Sequence, residues 1–450
     1  MKKIYSNLEN FHSFIPNLSY FFSSNVLTQL CSFIVIVLFA RNYSAIEFGK
    51  FTIAQTVFFL LYSLSFSNIH YYLNKAISQN FQNRRKEIGS CFLITFYASV
   101  FLYTLLALNL NLFSIDKELK YLILIIGLIL IAEPFSIFYS EIFVRGQFKI
   151  IFKIRILQNL IFFVIKMFII FNKLDFIFLA VSYFLESLFF SMLVIFYFKK
   201  NGNNFINLVF NREYTKKIIK KIFLFPLLAF SLVVAMRIDI IMISNILGTE
   251  YSAYYSSASR LITIILIFGT LFFQFIYPNL SRFVENKDEL DRIIRNIIFL
   301  SFYFSLSFFI CVLIFGKFYL SLFGDNYVSA HVSFIFLSIS LFFSLVINFW
   351  IQKQFLLSNH LNILFYQIAA ILFNIIFNSY LINSFGIDGA AIASLLSTFL
   401  AFVITNFTNP IEIYNIIECF GFKKQKQAAK DILKMIFVNK KPEKKEKTND

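Results

Sequence analysis

Polar residues cluster in short segments of this chain, and between them run apolar stretches too long for strands and lacking the period-two alternation of a half-buried sheet. A membrane-crossing helix needs about 20 mainly apolar residues. On that measure the pattern predicts twelve helices: 18–40, 48–72, 90–113, 119–143, 152–172, 174–198, 221–247, 254–280, 293–316, 328–350, 361–383 and 387–408. After Pro410 the apolar pieces are too short to cross. The fold class is therefore an all-α polytopic membrane protein with about 12 transmembrane helices.

Composition agrees with the pattern. Of 450 residues, 59% are hydrophobic, 20% aromatic and 14% charged, with mean hydropathy +0.74. Soluble domains carry about 25% charged residues. The net charge of +17 would ordinarily raise the question of nucleic acid, but the placement of the charges answers it. With the N-terminus in the cytoplasm and the helices alternating, 32 of the 41 Lys and Arg fall on the cytoplasmic side. This is the bias that orients membrane proteins, so both termini are expected in the cytoplasm and no nucleic-acid partner is implied. The basic loops face anionic lipid head groups. No cleavable signal peptide is read at the N-terminus, and the first span is expected to act as a signal anchor. The tail segment "IIECFGFKKQKQAAKDILKMIF" predicts an amphipathic surface helix, and "NKKPEKKEKTND" a disordered end. Cys31, Cys91, Cys311 and Cys419 show no metal-ligand or disulfide spacing, and no cofactor is implied.

The spans divide six and six around a basic connection. The expected domains are 1–198, a basic cytoplasmic linker 199–220, 221–408, and a basic tail 409–450. The halves echo one another: "RNYSAIEFGKFTIAQT" (41–56) aligns with "NILGTEYSAYYSSASR" (245–260) at a constant offset, matching Gly49 with Ala253, Phe51 with Tyr255 and Ala54 with Ala258. The turn before the last helix of each half carries an acid, Asp175 in "NKLDFIFLA" and Asp388 in "FGIDGAAIA". Repeats of this kind are a mark of alternating-access transporters.

Several motifs resemble those of polysaccharide exporters. "LFARNYSAIEFGKFTIAQT" resembles their first hairpin, and "FPLLAFSLVVAMRIDIIMISNILGTEYSAYYSSASRL" their seventh and eighth helices. "FIYPNLSRF" is similar to the close of the eighth helix, "LFGDNYVSA" to a Phe-Gly-x-x-Tyr turn, and "NSFGIDGAAIASLLS" to the lead-in of helix twelve. The motifs are collinear over about residues 15–408. The family is that of the Wzx-type polysaccharide or O-antigen flippases, within the multidrug/oligosaccharidyl-lipid/polysaccharide exporter superfamily. The resemblance implies two six-helix bundles around a central cavity. It also implies a cargo, an undecaprenyl-pyrophosphate-linked oligosaccharide moved from the inner to the outer leaflet of the bacterial cell membrane.

Charges inside the spans are the candidate chemistry. A pyrophosphate cannot cross hydrocarbon unpaired, and Arg presents a fork of donors suited to phosphate. Arg237, Arg260, Lys166 and Arg41 are the candidate substrate-binding residues; each could instead form a structural ion pair or snorkel to the interface. Arg237, in "SLVVAMRIDIIMISNIL", lies too deep for easy snorkelling. Asp239, two positions on, points about 200° away around an ideal helix. Asp239, Glu133 and Glu186 are the candidates for gating or ion coupling, with H+ or Na+ as the coupling ion, or else partners in ion pairs to Arg237 or Lys166. Glu141 is read as interfacial and His70 as an ordinary residue. Pro134 and Pro226 are expected to bend their helices. A glycan polymerase or glycosyltransferase would need clustered acids, which the short exterior loops lack; such enzymes enter only as pathway partners. A cation-coupled multidrug exporter of the same superfamily is the nearest alternative. The chain is expected not to be an enzyme.

Overall fold

The computed structural model describes residues 2–66, 69–112, 115–200, 212–280, 287–356 and 360–408. The predicted amphipathic tail and its charged end lie outside the described residues. All regular structure among the described residues is helical, as the apolar pattern requires: in lipid, a single segment satisfies its own backbone polar groups only as a helix.

In chain order the helices are α1 (Lys2–Asn42), α2 (Ala45–Leu64), α3 (Ile69–Gln79), α4 (Arg84–Asn109), α5 (Lys117–Gly127), α6 (Ile129–Ala132), α7 (Tyr139–Val144) and α8 (Phe148–Phe171). There follow α9 (Phe176–Lys200), α10 (Arg212–Ile222), α11 (Leu224–Ile246), α12 (Thr249–Leu280), α13 (Lys287–Ser321), α14 (His331–Leu356) and α15 (His360–Thr408). Ten helical stretches among the described residues are long and apolar enough to cross a membrane. The last of these is two predicted helices in one, and the predicted helix 254–280 lies within α12, a helix of 32 residues. The chain is thus a polytopic all-α membrane protein with about twelve spanning helices.

Two predicted helices are broken. The run 48–72 ends at Leu64 and resumes at Ile69 as α3, with Phe66 at a left-handed φ of 62°. The run 119–143 is interrupted by a 3-10 segment, Glu133–Phe138, whose second residue is Pro134. Pro134 has no N–H to give an α-helix, so the interruption sits where the sequence predicts it. Pro226 behaves differently: it is the third residue of α11, where its missing N–H would be unsatisfied in any case, and the helix continues.

The chain forms two compact units, Met1–Ser244 and Asn245–Asp450, so that α11 belongs almost entirely with the first. In the first unit, α1 packs along α8 and α8 along α9, while α3, α4, α7 and α10 close over a core containing Leu73, Ile88, Cys91, Ile142 and Val194. The linker helix α10 contributes Ile218 and Ile222 to that core, and its Tyr214 hydroxyl donates to Glu87 on α4. Glu141, read as interfacial, is buried within the protein, accepting from Arg145 Nε at 3.0 Å with Arg84 Nε 3.4 Å away. In the second unit α14 is central, packed against α12, α13 and α15.

The positions matched between the halves occupy equivalent places in each unit. Gly49, Phe51 and Ala54 are buried, and so are Ala253, Tyr255 and Ala258. Phe51 meets Tyr183 on α9, with ring centroids 5.5 Å apart, and the Tyr255 hydroxyl lies 3.3 Å from Ser394 on the last helix. The two acidic turns are structural. Asp175 accepts from the Ile177 N–H at 2.9 Å at the start of α9, and Asp388 accepts from Ser333 Oγ at 2.6 Å, anchoring α14.

The motif around Asp388 owes its glycines to geometry. Gly386 adopts φ 60° and ψ −137°, inside what is otherwise continuous helix, and a Cβ on Gly389 would stand 1.9 Å from the Leu381 carbonyl oxygen. The chain therefore turns at Gly386 and passes its own preceding helix at backbone distance. Gly386→Ala is expected to cost about 1–3 kcal/mol of backbone strain, and Gly389→Ala to be the more disruptive because backbone rather than a rotamer must give way. Thermal melting of the detergent-purified protein checks both.

A surface clamp gives a pH-dependent expectation. Lys50 on α2 reaches Asp116 and, at 2.6 Å, Glu118 at the start of α5. Its hydrogen bond holds the Asp116 carboxyl below the usual range. A depressed folded-state pKa means the contribution is present above the ordinary carboxylate pKa and is lost as pH falls through the lower, folded value. Melting curves of wild type and Asp116→Asn should therefore diverge at neutral pH and converge in acid.

Candidate functional site

α8 carries a polar stripe through an apolar helix. Arg155, Gln158, Asn159 and Lys166 recur at helical spacing and share one face. All but Arg155 are buried. Lys166, 5% exposed, forms an ion pair with Glu186 on α9 and lies 3.5 Å from the centroid of the Tyr183 ring. Gln158 Nε2 donates to the other Glu186 oxygen at 3.3 Å, and Gln158 Oε1 accepts from Arg155 at 3.3 Å. Asn159 Nδ2 donates to Thr28 Oγ1 on α1 at 2.8 Å. Cys31, one turn further along α1, is close enough to feel both charges of the pair. The stripe thus faces α1 and α9, where the amide and the ion pair satisfy one another.

A second polar cluster gathers at the two helix breaks. A narrow cleft is lined by Tyr62, Ser65 and His70 from α2–α3, by Thr95 and Ser99 from α4, and by Glu133 and Ser136 from the 3-10 segment. Glu133 accepts from Ser187 Oγ at 3.3 Å and from the Tyr62 hydroxyl at 3.5 Å. His70 Nδ1 lies 3.0 Å from Ser140 Oγ, and its Nε2 lies 3.5 Å from Ser136 Oγ. Arg155 acts electrostatically on Glu133 and Tyr62, so the stripe and the cleft are neighbours. Backbone freed at a helix break is tolerated at membrane depth where protein or a wet cavity receives it, and this cleft supplies hydroxyls at both breaks.

The other candidate charges lie on α11, α12 and α1. Arg237, midway along α11, is half-buried with its guanidinium carbon 4.4 Å above the centroid of the Phe59 ring, one turn before Tyr62 on α2. Asp239 is buried on α11. Arg260 is half-buried on α12 and acts electrostatically on Tyr319, whose hydroxyl donates to the Ser257 carbonyl at 3.3 Å. Arg41 is exposed at the end of α1. Of the seven residues singled out from sequence, the structure brings Lys166 and Glu186 into contact and places Glu133 beside the same stripe. The sequence reading missed Tyr62, Gln158 and Asn159 and counted Arg155 with the cytoplasmic charges, although the i, i+3, i+4, i+11 spacing of Arg155, Gln158, Asn159 and Lys166 through "KIRILQNLIFFVIKMF" was visible. No cluster of metal-ligating residues occurs among the described residues.

Comparison with known proteins decides the family. The family model described as "Polysaccharide biosynthesis protein" matches residues 14–284. The chain belongs to this family. It is 24% identical over 405 residues to the capsular polysaccharide biosynthesis protein CapF of Staphylococcus aureus, covering 86% of this chain and 97% of CapF. Among solved structures it is similar to the lipid II flippase MurJ in an inward closed conformation, at 15% identity and TM-score 0.66, over 93% of this chain and 91% of MurJ. An inward-facing MATE-family multidrug resistance transporter of the MOP superfamily gives 14% identity and TM-score 0.62, over 88% and 96% of the two chains. Both likenesses bear on fold, and both are to membrane transporters.

The buried pair gives a separable prediction. Removing one partner of a buried ion pair strands the other, typically at about 3–5 kcal/mol. Lys166→Met is therefore expected to lower the melting temperature sharply, and the double variant Lys166→Met/Glu186→Met to recover much of the loss. A double variant no better than the single would show that the pair is not the interaction being measured.

Proposed function

We propose that this family member is a flippase that moves a lipid-linked oligosaccharide, carried on undecaprenyl pyrophosphate, from the inner to the outer leaflet by alternating access. Membership of a polysaccharide biosynthesis family carries the reading, because it joins polysaccharide synthesis to a chain whose fold is similar to that of membrane transporters. The buried charges support it. A carrier pyrophosphate needs cations along its path while its polyprenyl tail stays in lipid, and the interior of the first unit holds Arg155, Lys166 and Arg237 among apolar helices.

Within that reading Arg237, Arg260, Lys166 and Arg41 are substrate-binding candidates of unequal standing. Arg237 is the best placed. Its guanidinium lies over the Phe59 ring, midway along an apolar helix, and a planar fork of donors suits a phosphate. Lys166 must first exchange its partner Glu186, and Arg41 sits at the surface. Glu133 is the leading carboxylate for coupling to H+ or Na+, since its hydrogen-bond partners include the neutral hydroxyls of Tyr62 and Ser187. Glu186 and Asp239 then serve pairing or gating. The protein resides in the bacterial inner membrane with both termini cytoplasmic, and works with glycosyltransferases and a polymerase of the same pathway.

The test is translocation in proteoliposomes, read by protection of a fluorescent undecaprenyl-pyrophosphate oligosaccharide from an impermeant quencher. Wild type should flip it, Arg237→Ala should lose transport at equal protein level, and Arg237→Lys should keep part. Normal transport by the Ala variant would remove Arg237 from the site. Absence of transport by the wild type would sink the flippase reading.

A further inference from the structure

Arg155 is unlike the other interior cation of its helix. Lys166 is neutralised by Glu186, and Gln158 takes the remaining Glu186 oxygen. Arg155 has the neutral Gln158 amide oxygen as its acceptor, and the face of Phe190 lies 3.9 Å below its guanidinium carbon. No carboxylate oxygen among the described residues lies within ion-pair distance of it. Glu133 and Glu186 are the acids that face it, one at electrostatic range and the other behind Gln158. A guanidinium offers five N–H donors, so most of this fork is uncommitted, while stacking on Phe190 fixes its plane. Arg155 is half-buried rather than sealed, and lies seven residues from the start of α8, about 10 Å along the axis.

Resting on the flippase reading above, we propose that Arg155 is the receiving site for the carrier's phosphate: a half-buried, stacked, uncommitted guanidinium that takes phosphate oxygens at the end of α8 nearest the basic linkers. Lys166 lies eleven residues deeper, about 16 Å along the same face, locked to Glu186 until an anion competes for it. The partner class is a phosphate or pyrophosphate monoester. A free anion, a bulk anionic lipid and a polyprenyl carrier share that chemistry, and the proposal commits to the carrier.

Binding to the purified full chain in nanodiscs tests it, with farnesyl pyrophosphate as probe and inorganic pyrophosphate as comparison, in phosphatidylcholine and in phosphatidylglycerol. Wild type should bind farnesyl pyrophosphate saturably and inorganic pyrophosphate more weakly. Arg155→Gln should weaken the former at least tenfold, with Arg155→Lys between, because an ammonium keeps the charge but loses the fork. Should the Gln variant fail to fold, the Lys variant alone decides, by a weakening smaller than tenfold. Unchanged affinity in either folded variant overturns the assignment of Arg155 and leaves the flippase reading standing. A wild type that binds no pyrophosphate lipid overturns both. Equal affinity for inorganic pyrophosphate, or loss of binding in phosphatidylglycerol, overturns the carrier as the occupant.

Discussion

An ionised group cannot stay unpaired in a bundle of helices that excludes water, and the interior of the first unit is arranged around that constraint. Lys166 and Glu186 neutralise each other between α8 and α9, Tyr183 covers the ammonium, and Gln158 completes the carboxylate. Each of these contacts needs two helices at a fixed register, so the pair sets how α8 and α9 face each other. Apolar residues of the same volume would hold those helices as firmly or more so. A buried pair is therefore poor evidence of stability for its own sake, and better evidence that charge is wanted along this face.

The helix breaks follow from a related requirement. An interrupted helix frees backbone groups that lipid cannot satisfy, so interruptions survive where polar side chains or water meet them. Here the break after Leu64 and the 3-10 turn at Pro134 border one cleft, and Ser65, Ser136, Ser140 and His70 stand around it. The two breaks lie in different hairpins of the chain, so their juxtaposition is a property of the fold. It leaves a carboxylate, Glu133, in a setting of hydroxyls rather than of cations in direct contact.

Much of this fold was legible because the bilayer leaves few options. Apolar run length gave the number of helices, and the repeat marked positions that prove buried in both units, such as Phe51 and Tyr255. Run length says nothing about continuity, so the break at Ser65–Phe66 was invisible: no proline or glycine announces it, and a Phe at positive φ is held by its surroundings. The break at Glu133 carried its proline and was expected. Single charges in apolar runs were easy to find, which is why Lys166, Glu133, Glu186 and Arg237 stood out. Partners were harder, because Gln158 and Asn159 are polar without being charged and matter through a neighbouring helix.

Arg155 shows where charge counting misleads. In a tally of topology it is one more cytoplasmic cation, indistinguishable from Lys149 and Lys153. Its place two turns into α8, on the same face as Gln158 and Lys166, separates it from them. Lysine at that depth would be a mobile, strongly hydrated point charge, whereas a guanidinium stacked on Phe190 is weakly hydrated and held in plane. Further in, the chain uses lysine for the position that is already paired, where one strong contact to a carboxylate suffices. The choice of residue type along one helix face thus runs from an open fork near the start of α8 to a closed pair about three turns further along it. Under the proposed function that is the order in which an incoming phosphate would meet them, first a site free to accept it and then one that must give up a partner.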